Sequence, residues 1–255
     1  MKAPDDLQGE IVFWDERAVD EQYRAQMEIP PSQYIDQEVW LAEWKKLLPD
    51  LHGKRVLDCG SGMGAIAAWC AQQGAEVVGF DIAQGMARLA VEYARRHRCR
   101  VEMIASTFEE LPLADASIDV AVGQYILHHT DVDRSVDELK RVVKPGGMAL
   151  FVENMALNPL IRRYVTSSLF EEGVLREGSP EECPILPEKV EHMRQVCREV
   201  RLHWPSFVFF EILFDRLPLV PRRWGQGLDD LLYPLLRGHP RLLKNSYFAV
   251  VEMRF

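Results

Sequence analysis

The stretch VLDCGSGMG, residues 56–64, decides the fold class of this 255-residue chain. An apolar run that ends in a carboxylate predicts a short buried strand, and the glycines that follow predict a tight turn. The next residues, GAIAAWCAQQ, predict a helix rich in small side chains. Such a turn is typical of a parallel α/β sheet: Gly60 and Gly62 let the backbone approach a ligand, and Gly64 or Ala65 lets the helix pack on the strand.

The alternation continues on the C-terminal side of the turn. Strands are predicted in AEVVGF (75–80), RVEMIA (100–105), SIDVAVGQYIL (117–127) and MALFVE (148–153), and helices in AQGMARLAVEYARRHR (83–98) and DVDRSVDELKRVV (131–143). Strands that alternate with helices of this length indicate βαβ units and a parallel sheet. Such sheets bind ligands beyond the carboxyl ends of their strands, so the glycine turn belongs to a binding site.

The pattern changes on both sides of this core. Residues 1–50 are predicted to form amphipathic helices that close over the site as a lid, and residues 51–153 to form the ligand-binding core. After residue 153 the regular alternation stops. SFVFFEILF (206–214) is a candidate strand and SYFAVVEMRF (246–255) a terminal strand. We therefore expect residues 154–255 to supply substrate-cap insertions and closing strands of the same domain.

The composition excludes several classes of protein. The net charge of −9 disfavours a nucleic-acid partner. Five cysteines without a CxxC pair and a polar N-terminus favour a reducing, cytoplasmic location. The seven histidines include no HxxxH or HExxH pair, so no metal site is expected, and no apolar run is long enough to span a bilayer.

Two carboxylates indicate the kind of ligand. Asp81 ends the second strand about twenty residues after the turn, where an acid accepts hydrogen bonds from ribose hydroxyls or caps the next helix. The pattern GSGMGA also fits a dinucleotide site. Asp58, however, lies where a pyrophosphate would bind, and its charge would repel that anion and attract a cation. S-adenosylmethionine carries a sulfonium, an ammonium and a ribose without a phosphate, and it therefore fits better than NAD(P).

Four motifs extend this interpretation: VLDCGSGMG, VVGFDIAQGM, FEELPLADASIDVAVGQYILHH and ELKRVVKPGG. In their order and spacing the sequence resembles the class I S-adenosylmethionine-dependent methyltransferases, in particular their small-molecule branch, over residues 54–153. The resemblance implies an α/β fold with a Rossmann-like, doubly wound, seven-stranded sheet, an antiparallel last strand and a helical cap. The C-terminal SYFAVVEMRF suits that last strand.

The resemblance also implies a set of cofactor-binding residues. Those on the methionine and ribose side are Asp58, Gly60, Gly62, Asp81 and Gln124. Those on the adenine side are Ile82, Met86, Thr107 and Phe108. Thr107 stands where many relatives carry an aspartate that accepts from the adenine amino group, so the Thr107 hydroxyl or a nearby group replaces it here. Phe108 either stacks on the adenine or packs in the core.

Candidate catalytic residues follow the fourth and fifth strands. His128 and His129 have a side chain suited to take a proton from an acceptor, and Glu153 either orients an acceptor or binds a backbone amide or Arg162. We therefore expect methyl transfer from S-adenosylmethionine to the oxygen, nitrogen or carbon of a small, partly apolar acceptor that is lipid-like, quinone-like or a secondary metabolite. The alternatives are an NAD(P)-dependent oxidoreductase and a non-catalytic S-adenosylmethionine-binding protein.

Overall fold

A single seven-stranded sheet organises the chain. The computed structural model describes residues 4–165, 183–214 and 221–255. The strand order is β3-β2-β1-β4-β5-β7-β6, and β7 runs antiparallel to both of its neighbours, β5 and β6. This confirms the predicted sheet and its antiparallel last strand. The strands are β1 (Arg55–Cys59), β2 (Glu76–Asp81), β3 (Glu102–Ala105), β4 (Ile118–Gln124), β5 (Val143–Asn154), β6 (Glu199–His203) and β7 (Phe248–Arg254).

Helices cover both faces of the sheet. Those described are α1 (Pro4–Arg17), α2 (Glu21–Ala25), α3 (Pro31–Gln37), α4 (Val39–Leu47), α5 (Ala65–Gln72), α6 (Gln84–Arg96), α7 (Val132–Val142), α8 (Pro159–Val165), α9 (Pro187–Val196), α10 (Phe210–Phe214), α11 (Arg222–Leu236) and α12 (Pro240–Leu243). Two 3-10 turns lie at Gln26–Glu28 and Leu127–His129.

Strand alternation separates the sheet's apolar side chains into two cores. Val56 of β1 packs in the core that contains α3 to α6, whereas Leu57, its neighbour, packs in the core that contains α7 and α9. A third, smaller cluster joins the segments after β5 to those before β7, and it includes Ile161, Ile212 and Tyr247. Strand order reverses between β1 and β4, which places the glycine turn at the sheet's switch point.

The prediction that SFVFFEILF forms a strand is wrong. Residues 206–209 are irregular, and Phe210–Phe214 form α10. The helix is fixed by a distant residue: the carboxylate of Asp229 in α11 accepts hydrogen bonds from the backbone N–H groups of Phe209, Phe210 and Glu211. These are the first N–H groups of α10, which have no partner within the helix.

The strand that precedes β7 is instead β6, in a part of the chain where the sequence showed no regular alternation of strands and helices. Its sequence EVRLH alternates, and Val200 and Leu202 pack on the second core. Because β6 is an edge strand, the remaining residues of the pattern are polar. The polar alternation made the strand hard to recognise in the sequence.

Candidate active site

The glycine turn after β1 has a backbone shape that other residues rarely adopt. Gly60 and Gly62 have φ angles of +63° and +50°. A Cβ atom on Gly60 would lie 2.5 Å from the Cδ1 atom of Ile126, because the turn packs closely on the segment after β4. Glycine is therefore required at the first position for both backbone and steric reasons.

A cavity of about 940 Å³ opens at the carboxyl ends of β1, β2 and β4. Its volume lies in the range of small-molecule sites. The N-terminal helices contribute Trp14, Tyr23 and Tyr34 to its wall. Most of the predicted site residues line it: Asp58, Gly60, Gly62, Asp81, Ile82, Thr107, Phe108, Gln124, His128 and His129.

Two of the predicted site residues do not line the cavity. The Met86 side chain is fully buried in the first core, on the face of α6 that packs against the sheet. Glu153 is also fully buried, and its carboxylate is bonded to the segment that follows β4. The structure therefore does not bring Met86 to the adenine side, and it places Glu153 behind the cavity wall.

Asp58 contributes a buried carboxylate with an unused hydrogen-bonding position. Its side chain lines the cavity and is 1% exposed, and its Oδ2 atom has no hydrogen-bond partner among the described residues. Burial raises the pKa of Asp58 to about 7, and the charge of Asp81 acts in the same direction. A buried oxygen of this kind requires a donor, and the ammonium of S-adenosylmethionine supplies one. The residues present thus fit this cofactor.

Asp81 joins the glycine turn to the start of α6. Its Oδ2 atom accepts from the Gly62 N–H at 2.9 Å and its Oδ1 atom from the Ala83 N–H at 3.0 Å. Burial raises the pKa of Asp81 to about 6, although both N–H bonds lower it. Each oxygen keeps a further lone pair, so the carboxylate can also accept from the two hydroxyls of a ribose.

Aromatic packing fixes the predicted adenine side. The Phe108 ring lies 5.0 Å from the Phe80 ring and 6.1 Å from the Phe151 ring and is 2% exposed. Its position is therefore set by the core, while it also forms part of the cavity wall. Ile82 and Thr107 complete this end of the cavity.

The N-terminal helices are bonded to the sheet at the site itself. The Tyr34 hydroxyl of α3 donates to the Gln124 Oε1 atom at the end of β4, at 3.1 Å. In α1, the Glu10 carboxylate contacts the His129 Nδ1 atom at 3.3 Å and accepts from the Trp14 indole N–H at 3.0 Å. Glu10 is 4% exposed, and sequence reasoning missed it because nothing local shows that α1 packs on the segment after β4.

His128 and Glu153 form a buried pair. The His128 Nδ1 atom lies 2.7 Å from the Glu153 Oε2 atom, and Glu153 Oε1 accepts from the backbone N–H groups of Ile126 and Leu127. A carboxylate only accepts, so the hydrogen-bond network assigns a proton to the Nδ1 atom of His128. Tyr125, which begins this segment, has a φ of +55°, an uncommon backbone conformation that often occurs at functional sites.

A second part of the cavity wall is aromatic and holds two unsatisfied polar atoms. The Trp40 ring lies 4.7 Å from the Phe248 ring, which lies 5.8 Å from the Tyr125 ring. The Trp40 Nε1 donor and the Asn154 Oδ1 acceptor are buried and have no partner among the described residues. Both residues line the cavity, and Asn154 pairs with Phe248 across β5 and β7. Asn154 directly follows Glu153 at the end of β5, a position that could have indicated it in the sequence.

Comparisons with known proteins agree with this geometry. Residues 57–151 match a family model described as "Methyltransferase domain". A ubiquinone biosynthesis O-methyltransferase of Agrobacterium fabrum is 31% identical over 176 residues, which cover 67% of this chain and 69% of that protein. A demethylmenaquinone methyltransferase of Corynebacterium kroppenstedtii is 31% identical over 169 residues, 66% of this chain and 69% of that protein. Alignments to other curated relatives span less of their length, 18% in one case and 45% in another.

A solved structure matches over the whole chain. The geranyl diphosphate C-methyltransferase of Streptomyces coelicolor A3(2) has a TM-score of 0.60 at 14% identity, and the match covers 100% of this chain and 98% of that one. This likeness supports the fold. With the family match and the curated relatives, it shows that the chain belongs to the class I S-adenosylmethionine-dependent methyltransferases. S-adenosylmethionine is accordingly its cofactor, as predicted.

Two further observations concern metals and membranes. Within residues 4–165, 183–214 and 221–255, no group of three or more His, Cys, Asp and Glu side chains could hold a metal ion. In the same ranges, no helix has the length and apolar character needed to cross a bilayer.

Proposed function

We propose that this methyltransferase transfers the methyl group of S-adenosylmethionine to a hydroxyl oxygen of a small, partly apolar acceptor, with His128 as the general base. The observation that carries this proposal is the buried contact of 2.7 Å between His128 and Glu153, beside the cavity that contains Asp58 and Gln124. A base is needed only where the acceptor must lose a proton, and a hydroxyl is the common acceptor of that kind.

The cofactor supplies an activated methyl group and a good leaving group for an in-line displacement. His128 Nε2 takes the proton of the acceptor hydroxyl while the new O–C bond forms and the C–S bond breaks. Glu153 holds the imidazole in one tautomer and orientation and stabilises the imidazolium that results, as carboxylates do in other His–carboxylate pairs. Glu153 is therefore proposed as a positioning residue. His128 then releases its proton to solvent, and the walls of the cavity keep water from the reacting atoms.

The acceptor is proposed to be an oxygenated ring. The side chains of Trp40, Phe248 and Tyr125 offer aromatic ring faces to an acceptor. The Tyr125 ring lies 6.4 Å from the His128 ring, so these faces are close to the proposed base. The unsatisfied Trp40 N–H suits a carbonyl or ether oxygen, and the unsatisfied Asn154 oxygen suits a hydroxyl. The curated relatives in ubiquinone biosynthesis and demethylmenaquinone methylation support a quinone-like ring of this type.

The charge of the cavity argues against an anionic ligand. Among its described lining residues, the cations are Arg17 and Arg134, whereas the acids are Glu10, Glu38, Asp58, Asp81, Glu109, Glu110, Asp131 and Glu211. Such a wall disfavours a phosphorylated acceptor, and it equally disfavours the pyrophosphate of NAD(P). We therefore propose a neutral acceptor and set the oxidoreductase alternative aside.

Residues 1–50 are proposed to act as a lid over the cofactor. The support is the Tyr34–Gln124 and Glu10–His129 contacts, which link α3 and α1 to the end of β4 and the segment after it. Closure through these contacts would exclude water from the site, and residues 154–255 would complete the acceptor side through Val208, Ile212 and Phe248.

The test is the rate of S-adenosylhomocysteine formation with a panel of catechols and hydroxylated quinones. We expect turnover with a member of the panel, and a loss of about 10²–10⁴ in kcat for His128→Ala with little change in S-adenosylhomocysteine affinity. Glu153→Gln should also lower kcat, because an amide does not enforce the tautomer. His192→Ala removes another histidine that contacts a carboxylate, that of Asp137, outside the cavity lining, and as the matched control it should keep the full rate.

Two results would contradict the proposal. An unchanged kcat in His128→Ala at saturating acceptor would remove the general base. Tight binding of S-adenosylhomocysteine without turnover of any hydroxylated, amine or carbon acceptor would favour the non-catalytic alternative.

A further inference from the structure

The outer face of α11 carries an apolar stripe. Trp224, Leu228, Leu231 and Leu235 have exposed fractions of 60%, 38%, 69% and 69%. Their spacing of four, three and four residues places them on one side of the helix, over about 17 Å at 1.5 Å per residue. Large apolar side chains that are exposed singly are ordinary, but a continuous row of them indicates an interaction surface.

The inner face of α11 is firmly anchored, so the stripe does not belong to a loosely placed helix. A Cβ atom on Gly225 would lie 2.5 Å from the Phe210 carbonyl oxygen, because the two helices are in close contact. Asp229 accepts three backbone hydrogen bonds from the start of α10 and is 2% exposed. This anchoring turns the stripe outward.

Exposed cations lie on α11, at its C-terminal end and on α12. Arg223, Arg237, Arg241 and Lys244 are exposed in α11, in α12 and at their ends, and within the described ranges none of them has an ion pair. Asp230 is the exposed acid of α11. The chain as a whole has a net charge of −9, so this surface has the opposite sign to the average of the molecule.

We propose that the α11 stripe, formed by Trp224, Leu228, Leu231 and Leu235, docks on the surface of a bilayer rich in anionic lipids. Helices that lie in a membrane interface combine an apolar face containing Trp and Leu with Lys and Arg on the polar side, and the cations gain from an anionic surface. This is binding at the interface, without a membrane span.

A second copy of the chain fits the same surface less well. In a two-fold dimer the same patch meets itself, which would bring the cations near α11 close to their own copies. A stable dimer also buries about 800 Å² on each partner, and four side chains on one helix supply less. A bilayer takes up a narrow apolar stripe without requiring a matching surface.

The position of the stripe relates it to the active site. Helix α10, which α11 holds through Asp229, contributes Glu211 and Ile212 to the cavity wall. Docking through α11 would therefore bring the acceptor side of the cavity near the lipid surface. This link to an apolar acceptor rests on the proposed function, whereas the docking itself does not.

The experiment is co-sedimentation of the purified chain with vesicles of phosphatidylcholine alone and of an equimolar mixture of phosphatidylcholine and phosphatidylglycerol. We expect binding to the mixed vesicles, weakened by salt, and a loss of about fivefold or more in the partition coefficient for Leu231→Glu. Gln226→Glu adds the same charge on the same helix away from the stripe and should bind within about twofold of the unmodified chain. S-adenosylhomocysteine affinity should be equal in all three proteins, which separates this test from that of the catalytic proposal.

Three outcomes would overturn the proposal. They are absence of binding to the mixed vesicles, equal binding by Leu231→Glu and Gln226→Glu, and equal binding to both kinds of vesicle. Light scattering completes the test. A dimer that Leu231→Glu dissociates, without vesicle binding, would assign the stripe to a second copy of the chain.

Discussion

The carboxylates of Asp58 and Asp81 are both buried next to the glycine turn. Within the described part of the chain, neither of them forms an ion pair. Burial is the main cause of the raised pKa values of about 7 for Asp58 and about 6 for Asp81, and the charge of Asp81 also raises the pKa of Asp58 and of Tyr23. Desolvating a charge that has no partner costs free energy, so the arrangement destabilises the empty site. Strongly shifted groups of this kind cluster at functional sites, where a ligand repays the cost.

At the residue scale, Asp81→Ala should weaken cofactor binding. The variant loses the charge-assisted hydrogen bonds to the ribose hydroxyls, and we expect a loss of about 1–3 kcal/mol in the binding free energy of S-adenosylhomocysteine. Titration calorimetry measures this directly. Asp119→Ala, whose carboxylate binds the Arg55 N–H and Lys144 at the opposite edge of the sheet, is the control and should bind normally. Unchanged affinity in a folded Asp81→Ala protein would exclude Asp81 from the ribose role.

The sequence could predict site residues at or just after the ends of strands, because the carboxyl ends of parallel strands meet at one edge of the sheet. Asp58, Asp81, Gln124 and His128 all reach the cavity for this reason. The adenine role of Met86 was implied by the family resemblance, and the helical period of α6 does not show whether the face that carries Met86 meets the ligand or the sheet. Glu10 contacts a residue 119 positions away, and no local pattern carries that information.

At the scale of elements, α10 illustrates how a tertiary contact overrides local propensity. Its sequence FEILF is rich in residues that favour strands, and a strand was the natural prediction. The three N–H bonds to Asp229 instead start a helix there. A carboxylate that accepts several N–H groups at a helix start stabilises the helix both as a cap and through the helix dipole.

We expect Asp229→Ala to destabilise the fold by about 1–3 kcal/mol, because it leaves the first N–H groups of α10 without their partner. Thermal unfolding followed by circular dichroism measures the loss. Asp230→Ala changes the neighbouring, exposed aspartate and should stay within about 0.5 kcal/mol of the unmodified chain. Equal melting temperatures for the two variants would show that the Asp229 bonds contribute little to stability.

The elements of the central sheet could be predicted because their strands are buried on both faces and read as continuous apolar runs. The boundaries of β1, β2 and β4 agree closely with the apolar runs RVLDC, AEVVGF and SIDVAVGQYIL. The edge strand β6 has one polar row of side chains, and its partner strand β7 lies far along the chain: His203 pairs with Val250 and Glu199 with Arg254. Such long-range pairing leaves little trace in a local window.

At the scale of the whole molecule, the buried acids link stability to pH. Burial raises the pKa of Asp58 from its ordinary value of 3.8 to about 7, so the folded chain keeps this proton over a range in which the unfolded chain has lost it. The contribution of Asp58 to the free energy of unfolding is therefore fully present below about pH 4, and it is lost as the pH rises towards 7. At 1.36 kcal/mol per unit, a shift of this size corresponds to about 4 kcal/mol.

Asp58→Asn should therefore stabilise the chain without cofactor while it weakens cofactor binding. The amide carries no charge, so the melting temperature of the variant should exceed that of the unmodified chain by a margin that widens between about pH 4 and about pH 7 and is level above that range. For a chain of this size each kcal/mol corresponds to about 2–4 °C. Asp230→Asn, an exposed change, should show no widening. With saturating S-adenosylhomocysteine, the difference in melting temperature should shrink. The ammonium of the ligand stabilises the charged Asp58 of the unmodified chain, whereas the neutral amide of Asp58→Asn gains no such stabilisation. A margin that is constant with pH would mean that Asp58 is ionised at little cost in the folded chain, and the argument for its place beside the ammonium would fail.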